Sequence, residues 1–367
     1  MQENVTFAIG QAVKQLQIPS AVAIAADKNR VLYSAAFGET AADTIFAIAS
    51  MTKAITTVAV LQLVERGLLD LDAPVDRHLP ALRNLPVLEG FGADGDPRFS
   101  APAYSVTARQ LLSHTAGFSY PWNHPLAERY GRIDPPFLVH KPGTQWQYGI
   151  NVDWAGRLVE AVSGESLEDY FQRHILRPLG MIDTSFLVPA SKFARLAVSY
   201  QREPDGSLQA QPRVSPPAPD FFNGGGGLYS TAPDYTRFLQ MLLRRGTAED
   251  GIQILSERMI AEMMANQVGT LDAGRMRTTM PYRACDVDFH PGERDQFSLG
   301  FLINTVGYPN GRSAGSLAWA GIRNTFYWMD PARGICALLM MQFLPFCDPA
   351  AMSLLLTFET ALYAELP

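Results

Sequence analysis

The chain has 367 residues, 47% hydrophobic and 18% charged, an ordinary globular composition with enough apolar material for a large core. A formal net charge of −6 leaves no basic stripe to neutralise phosphates, so nucleic acid is excluded as a partner. No apolar run approaches a bilayer span, and residues 1–10 (MQENVTFAIG) lack the basic and apolar regions of a secretory signal, so no membrane partner is expected.

In chain order, residues 5–16 have helical spacing, residues 21–26 form a short apolar run, and residues 27–30 are a polar turn before a second strand over 31–37. Residues 50–66 read as a helix with apolar Met51, Ala54, Ile55, Val58, Leu61 and Val64, ended by Gly67. From about residue 69 to 291 proline and glycine become frequent, and short helical patterns alternate with irregular stretches. Helices are predicted over 107–113, from Asn151 as a cap with Ala155, Leu158, Val159 and Val162 inward, from the capping pattern at Ser166, and over 233–244. The last stretch returns to strands over 297–304, 316–320, 324–330 and 335–343, followed by a helix over 350–364. Strands at both ends around a helical insert imply one sheet assembled from distant segments. The expected division is a sheet domain of residues 1–68 and 297–367, with part of 185–230, and a mainly helical domain of about 69–296 that carries pocket-lining insertions.

Chemistry concentrates first in Ser50-Met51-Thr52-Lys53. At spacing i, i+3 on a helix the two side chains can touch. A serine hydroxyl needs a base to take its proton, and a lysine serves when its surroundings favour the neutral amine. The apolar flanks of the pair suit that demand, and this is the only Ser-x-x-Lys in a chain with five lysines. Tyr148, where an extended segment meets a helix, is the second candidate. A phenol beside an ammonium can be held as phenolate and can shuttle protons. The third is Trp319-Ala320-Gly321, at a strand end, where a small residue lets substrate lie against a sheet edge.

Other chemistries find less support. Gly311-Arg312-Ser313-Ala314-Gly315 matches Gly-x-Ser-x-Gly, but that elbow needs a strand before it, a helix after it, and a later histidine. A hairpin turn precedes Ser313, a strand pattern follows it, and no histidine comes after His290, so Ser313 is a decoy. The six histidines are scattered and no Cys-x-x-Cys occurs, so neither a metal nor another cofactor is expected. The glycine run at 224–227 lacks the following Lys-Ser/Thr of a phosphate loop. Cys285, Cys336 and Cys347 read as buried thiols in a reducing, cytoplasmic setting. Residues 118–141 and 268–294, long and aromatic-containing, are expected to shape the pocket mouth. Oligomeric state leaves no trace in the sequence.

Five stretches carry a family resemblance: residues 49–53, 111–117 (LLSHTAG), 148–159, 223–238 (NGGGGLYSTAPDYTRF) and 319–331 (WAGIRNTFYWMDP). In this order the chain resembles the serine β-lactamase and penicillin-binding-protein superfamily, most closely its esterase branch, the family VIII carboxylesterases. The resemblance implies an α+β fold: an antiparallel sheet flanked by helices, a mainly helical domain, and the active site between them. It implies that Ser50 is acylated, that Lys53 and Tyr148 form the base system, and that Trp319, Ala320 and Gly321 occupy the substrate-binding strand. The backbone N–H groups of Ser50 and Ile322 would form the oxyanion hole. Trp319 stands where penicillin-recognising members carry a lysine, which favours an uncharged ester over a carboxylated β-lactam. Asn151 misses the family's Tyr-x-Asn spacing by one residue and reads as a helix cap, and His114 reads as structural. The expected activity is hydrolysis of small, short-chain carboxylic esters. A β-lactamase, an amidase or peptidase acting on D-amino acids, an acyltransferase, and a non-catalytic binding protein are the alternatives.

Overall fold

The computed structural model describes residues 2–132, 134–214 and 219–366. After an opening helix α1 (Gln2–Gln15), the chain forms a hairpin of β1 (Ser20–Asp27) and β2 (Val31–Gly38), then helix α2 (Thr52–Glu65). Helices α3 (Asn151–Ser163) and α4 (Ala232–Leu243) follow. The strands resume with β3 (Gln296–Phe297), β4 (Leu302–Ile303), β5 (Leu317–Gly321), β6 (Thr325–Asp330) and β7 (Ile335–Met340), and α5 (Pro349–Ala364) closes the chain.

The sheet has seven strands in the order β2-β1-β7-β6-β5-β4-β3, all antiparallel, so its first and last segments meet where Val22 pairs with Met340. Strands β6 and β7 are buried along their whole length, because helices cover both faces. Helices α1 and α5 pack together on one side, and α4 lies against β1 and β7. Behind the sheet, α2 is buried at every position from Thr52 to Leu63, so it runs through the core rather than along its surface. Its hydroxyls are satisfied inside that core: Thr56 donates to the Gly224 carbonyl at 2.7 Å and Thr57 to the Lys53 carbonyl at 3.0 Å.

Several local expectations change. The apolar run 297–304 is two strands, because Gly300 adopts φ 95° and folds the chain into a hairpin that pairs Phe297 with Leu302. The run 335–343 likewise breaks after Met340, and Phe343–Leu344 leaves the large sheet to pair in parallel with Tyr200–Arg202. Asn151 is no cap. The N-cap of α3 is Ile150, and the Asn151 side chain is fully buried, donating to His114 Nδ1 at 3.0 Å. Cys285 is only partly buried, unlike Cys336 and Cys347.

The turn between β5 and β6 is fixed by Asn324, which is fully buried with φ 63°. Its Nδ2 donates to the carbonyls of Phe343 (3.0 Å) and Pro345 (2.8 Å), and its Oδ1 accepts from Cys347 N (2.9 Å). Asn324→Ala strands three buried backbone groups at about 1 kcal/mol or more each, so a loss of about 3 kcal/mol or more is expected in urea unfolding. An unchanged urea midpoint would remove Asn324 as the clamp.

Candidate active site

Ser50 sits in a 3-10 turn (Ala49–Met51) that runs directly into α2. The residue before it, Ala49, has φ 45°, a left-handed conformation that a non-glycine side chain adopts only at a cost. The turn is held by the pairing of Phe46–Ala47 with Tyr229–Ser230, by Ile48 N donating to Leu228 O, and by Leu228 N donating to Thr52 Oγ1. These contacts bring the glycine loop 223–227 alongside the Ser50 turn.

One helical turn on from Ser50, Lys53 is 1% exposed. Its Nζ donates to Ser50 Oγ at 3.1 Å, to Tyr120 Oη at 3.2 Å and to the Gly225 carbonyl at 2.5 Å. An ammonium has three protons, and here each has an acceptor. Tyr120 passes the chain onward by donating to Asp153 Oδ2 at 3.1 Å. Burial, and then the Asp153 carboxylate, push the Tyr120 phenol well above its ordinary range, so Tyr120 keeps its proton and turns a lone pair to Lys53.

Tyr148 donates to Ser50 Oγ at 2.6 Å, so the three residues singled out in the sequence converge on one oxygen. Its ring is caged by His114, Trp319, Tyr120, Trp122 and Trp146, with centroids 4.8 to 6.3 Å away. Trp319 Nε1 donates to Tyr148 Oη at 3.4 Å, a contact that strengthens as negative charge develops there. Trp319 is therefore more than apolar surface. His114 is fully buried, and burial depresses its imidazole well below the usual range, so it packs behind Tyr148 as a neutral ring.

A cavity of about 190 Å³ opens onto Ser50, walled by Tyr120, Trp122, Tyr148, Trp319, Ala320 and Ile322 among others. Ile322 N–H has no backbone acceptor among the described residues, and Ile322 lines the same cavity as Ser50. Gly321 does not line the wall. A Cβ there would lie 2.4 Å from the Ile48 carbonyl and 2.3 Å from Thr325 Oγ1, so its glycine serves the packing of β5 against the Ser50 turn. Ser313 lies elsewhere, in the loop between β4 and β5, with its N–H donating to Asp330 Oδ2 at 2.9 Å. Both segments expected at the mouth contribute: Tyr120 and Trp122 from one, Arg283 from the other.

Sequence reasoning missed Tyr120, Asp153 and Gly225. Asp153 lies two residues beyond Asn151, on the first turn of α3, where an acid reads as an ordinary helix start. The Gly225 contact uses a backbone carbonyl and leaves no side-chain mark, though a run of four glycines signals close approach.

If Tyr120 orients Lys53, Tyr120→Phe lowers kcat on p-nitrophenyl butyrate by roughly tenfold to a hundredfold with a smaller change in KM. Asp153→Asn, whose amide oxygen still accepts from Tyr120, is expected to cost less. Steady-state kinetics check this, and an undiminished kcat in Tyr120→Phe would discard the relay.

Residues 7–359 match the family described as Beta-lactamase. The chain is 35% identical over 401 aligned positions to a monacolin J acid methylbutanoyltransferase from Aspergillus terreus, covering 98% of this chain and 94% of that protein. It is 30% identical to a lovastatin esterase from Penicillium rubens, over 82% of this chain and 80% of that one. A solved structure of a simvastatin synthase mutant from Aspergillus terreus superposes with a TM-score of 0.84 at 34% identity, covering 99% and 94% of the two chains. With its antiparallel sheet flanked by helices, the protein belongs to the β-lactamase family, as a serine enzyme of the hydrolase and acyl-transferring kind.

Proposed function

We propose that the protein transfers a short acyl group through Ser50 to the hydroxyl of a small-molecule acceptor, and hydrolyses the same esters when water takes the acceptor's place. The observation that carries this reading is Ser50 Oγ held by Tyr148 at 2.6 Å and Lys53 at 3.1 Å at the edge of an aromatic-walled cavity. Reading from the sequence alone favours hydrolysis. The transferase named above shifts the weight to acyl transfer, while the esterase keeps water as a competing acceptor.

In the first half-reaction the pair starts one proton short, with Tyr148 as phenolate beside the Lys53 ammonium, and Ser50 Oγ attacks the donor carbonyl as its proton passes to Tyr148 Oη. The backbone N–H groups of Ser50 and Ile322 hold the negative oxygen of the tetrahedral intermediate. The intermediate collapses, the C–O bond to the donor's alcohol breaks, and the leaving oxygen takes back the proton. In the second half-reaction an acceptor hydroxyl loses its proton to the same system, attacks the acyl-Ser50 carbonyl, and restores Ser50–OH. Trp319 and its aromatic neighbours suit an uncharged acyl chain. The limited room favours a short one, in keeping with the methylbutanoyl group in the transferase's name. Three free cysteines fit a reducing compartment such as the cytoplasm.

Ser50→Ala is expected to abolish release of p-nitrophenol from the butyrate ester, whereas Ser313→Ala retains it; the reverse pattern reassigns the nucleophile. With wild type, adding an alcohol acceptor and separating products by chromatography should give butyryl ester at the expense of free butyrate. Free acid as the sole product across a panel of alcohols would return the protein to a plain esterase.

A further inference from the structure

Arg283 stands apart in the catalytic cavity. Among the described residues that line it, Arg283 is the sole charged side chain. No carboxylate lies within ion-pairing distance of its guanidinium among the described residues. The nearest acids in sequence are taken: Asp286 pairs with Arg277 at 2.7 Å, and Asp288 pairs with Arg275 at 3.3 Å. The Arg283 charge is nevertheless felt inside the site, where it opposes the upward shift of the Tyr120 phenol. It also repels Arg323, the residue after Ile322, which donates to Ser199 Oγ at 2.5 Å. An arginine without an ion-pair partner, within coulombic reach of a second guanidinium, leaves a positive field at the mouth.

The backbone holds Arg283 there. Residues 276–287 form a loop closed at its base, where Met276 pairs with Val287, and the loop is tied to two parts of the cavity wall. At one end Thr279 N donates to Trp122 O at 2.7 Å, and Thr279 Oγ1 to Pro121 O at 3.1 Å. At the other, Phe346 N donates to Arg283 O at 3.0 Å, and Cys285 N to Phe346 O at 2.8 Å. Trp122 and Phe346 themselves line the cavity, so the strap is tied to the wall on both arms.

We propose that Arg283 binds a carboxylate on the acyl acceptor, which makes hydroxy acids the preferred acceptor class. The assignment rests on the acyl-transfer reading for the word acceptor, but not for the binding site itself. A planar guanidinium offers a fork of N–H donors that matches the two oxygens of a carboxylate. A monoanion balances the one unpaired charge on the wall, and the acceptor's apolar body then meets Trp122 and Phe346. The third-motif strand has lost its cation to Trp319, and the strap returns one from a different part of the chain.

The test uses ω-hydroxyhexanoate, its uncharged amide ω-hydroxyhexanamide, and hydroxyhexyl phosphate. Binding is read from quenching of tryptophan fluorescence, which needs no turnover, and acceptor use from product analysis with p-nitrophenyl butyrate as donor. Wild type should bind the acid at least tenfold more tightly than the amide, and the advantage should shrink as salt is raised. Arg283→Gln should bring the acid-to-amide ratio close to one, and Arg283→Lys should restore part of it. Equal binding of acid and amide by wild type, a preference that survives in Arg283→Gln, or a stronger preference for the phosphate overturns the proposal. Acid binding that depends on Arg283 without any transferred product instead defeats the acyl-transfer reading and leaves the anion site standing. If Arg283→Gln does not fold, the salt dependence in wild type and the Lys variant still decide.

Discussion

A lysine ammonium buried to 1% exposure is the constraint around which this molecule is arranged. Removing such an ion from water costs several kcal/mol even after relaxation, and only a full set of acceptors offsets that cost. Each acceptor comes from a different part of the chain: Ser50 from the turn before α2, Tyr120 from an irregular segment, Gly225 from the glycine loop. Meeting all three forces the loop against α2 and α3, where Gly224 approaches Gly156 so closely that a Cβ would lie 2.8 Å from its Cα. It also sets the pairing of Phe46–Ala47 with Tyr229–Ser230 that fixes the Ser50 turn. The nucleophile's position is thus a by-product of making a buried charge tolerable.

What was legible in the sequence was what repeats locally. Ser50 and Lys53 are one helical turn apart, and the apolar flanks around them can be read from their neighbours. Tyr148 and Trp319 were reachable through the order of motifs, and the geometry brings both within 3.4 Å of each other's polar atoms. Tyr120 and Gly225 were not, because their contacts with Lys53 span 67 and 172 positions and no periodicity links them. Asn151 was misread for a different reason. Asparagine at a helix start suits both a cap and a buried donor, and only the His114 ring behind it distinguishes the two. The 297–304 run hid its turn because a single glycine among large apolar residues does not interrupt a hydrophobic pattern.

The same limit explains why transfer and hydrolysis are hard to tell apart from motifs. In the proposed reaction Ser50, Lys53 and Tyr148 take up the acyl group. The second half-reaction is decided by which hydroxyl arrives next, and that depends on cavity walls drawn from segments without regular structure. In that reading chemistry sits at the junction of sheet and α2, whereas selection falls to the strap 276–287 and the stretch around Tyr120 and Trp122, which line the cavity. The two can change independently, which suits one catalytic centre to both an esterase and a transferase.

The Gly225 carbonyl gives this arrangement an unusual genetic property. The atom that holds Lys53 belongs to the main chain, so no side-chain replacement can delete it. Any substitution at this position acts through bulk, since even a Cβ would lie 2.0 Å from Asp153 Oδ2 and press on the far end of the relay. A mutational scan of the loop would therefore register a steric defect and overlook the electrical one. The charge on Lys53 is anchored by something that only a shift in the path of the backbone can take away.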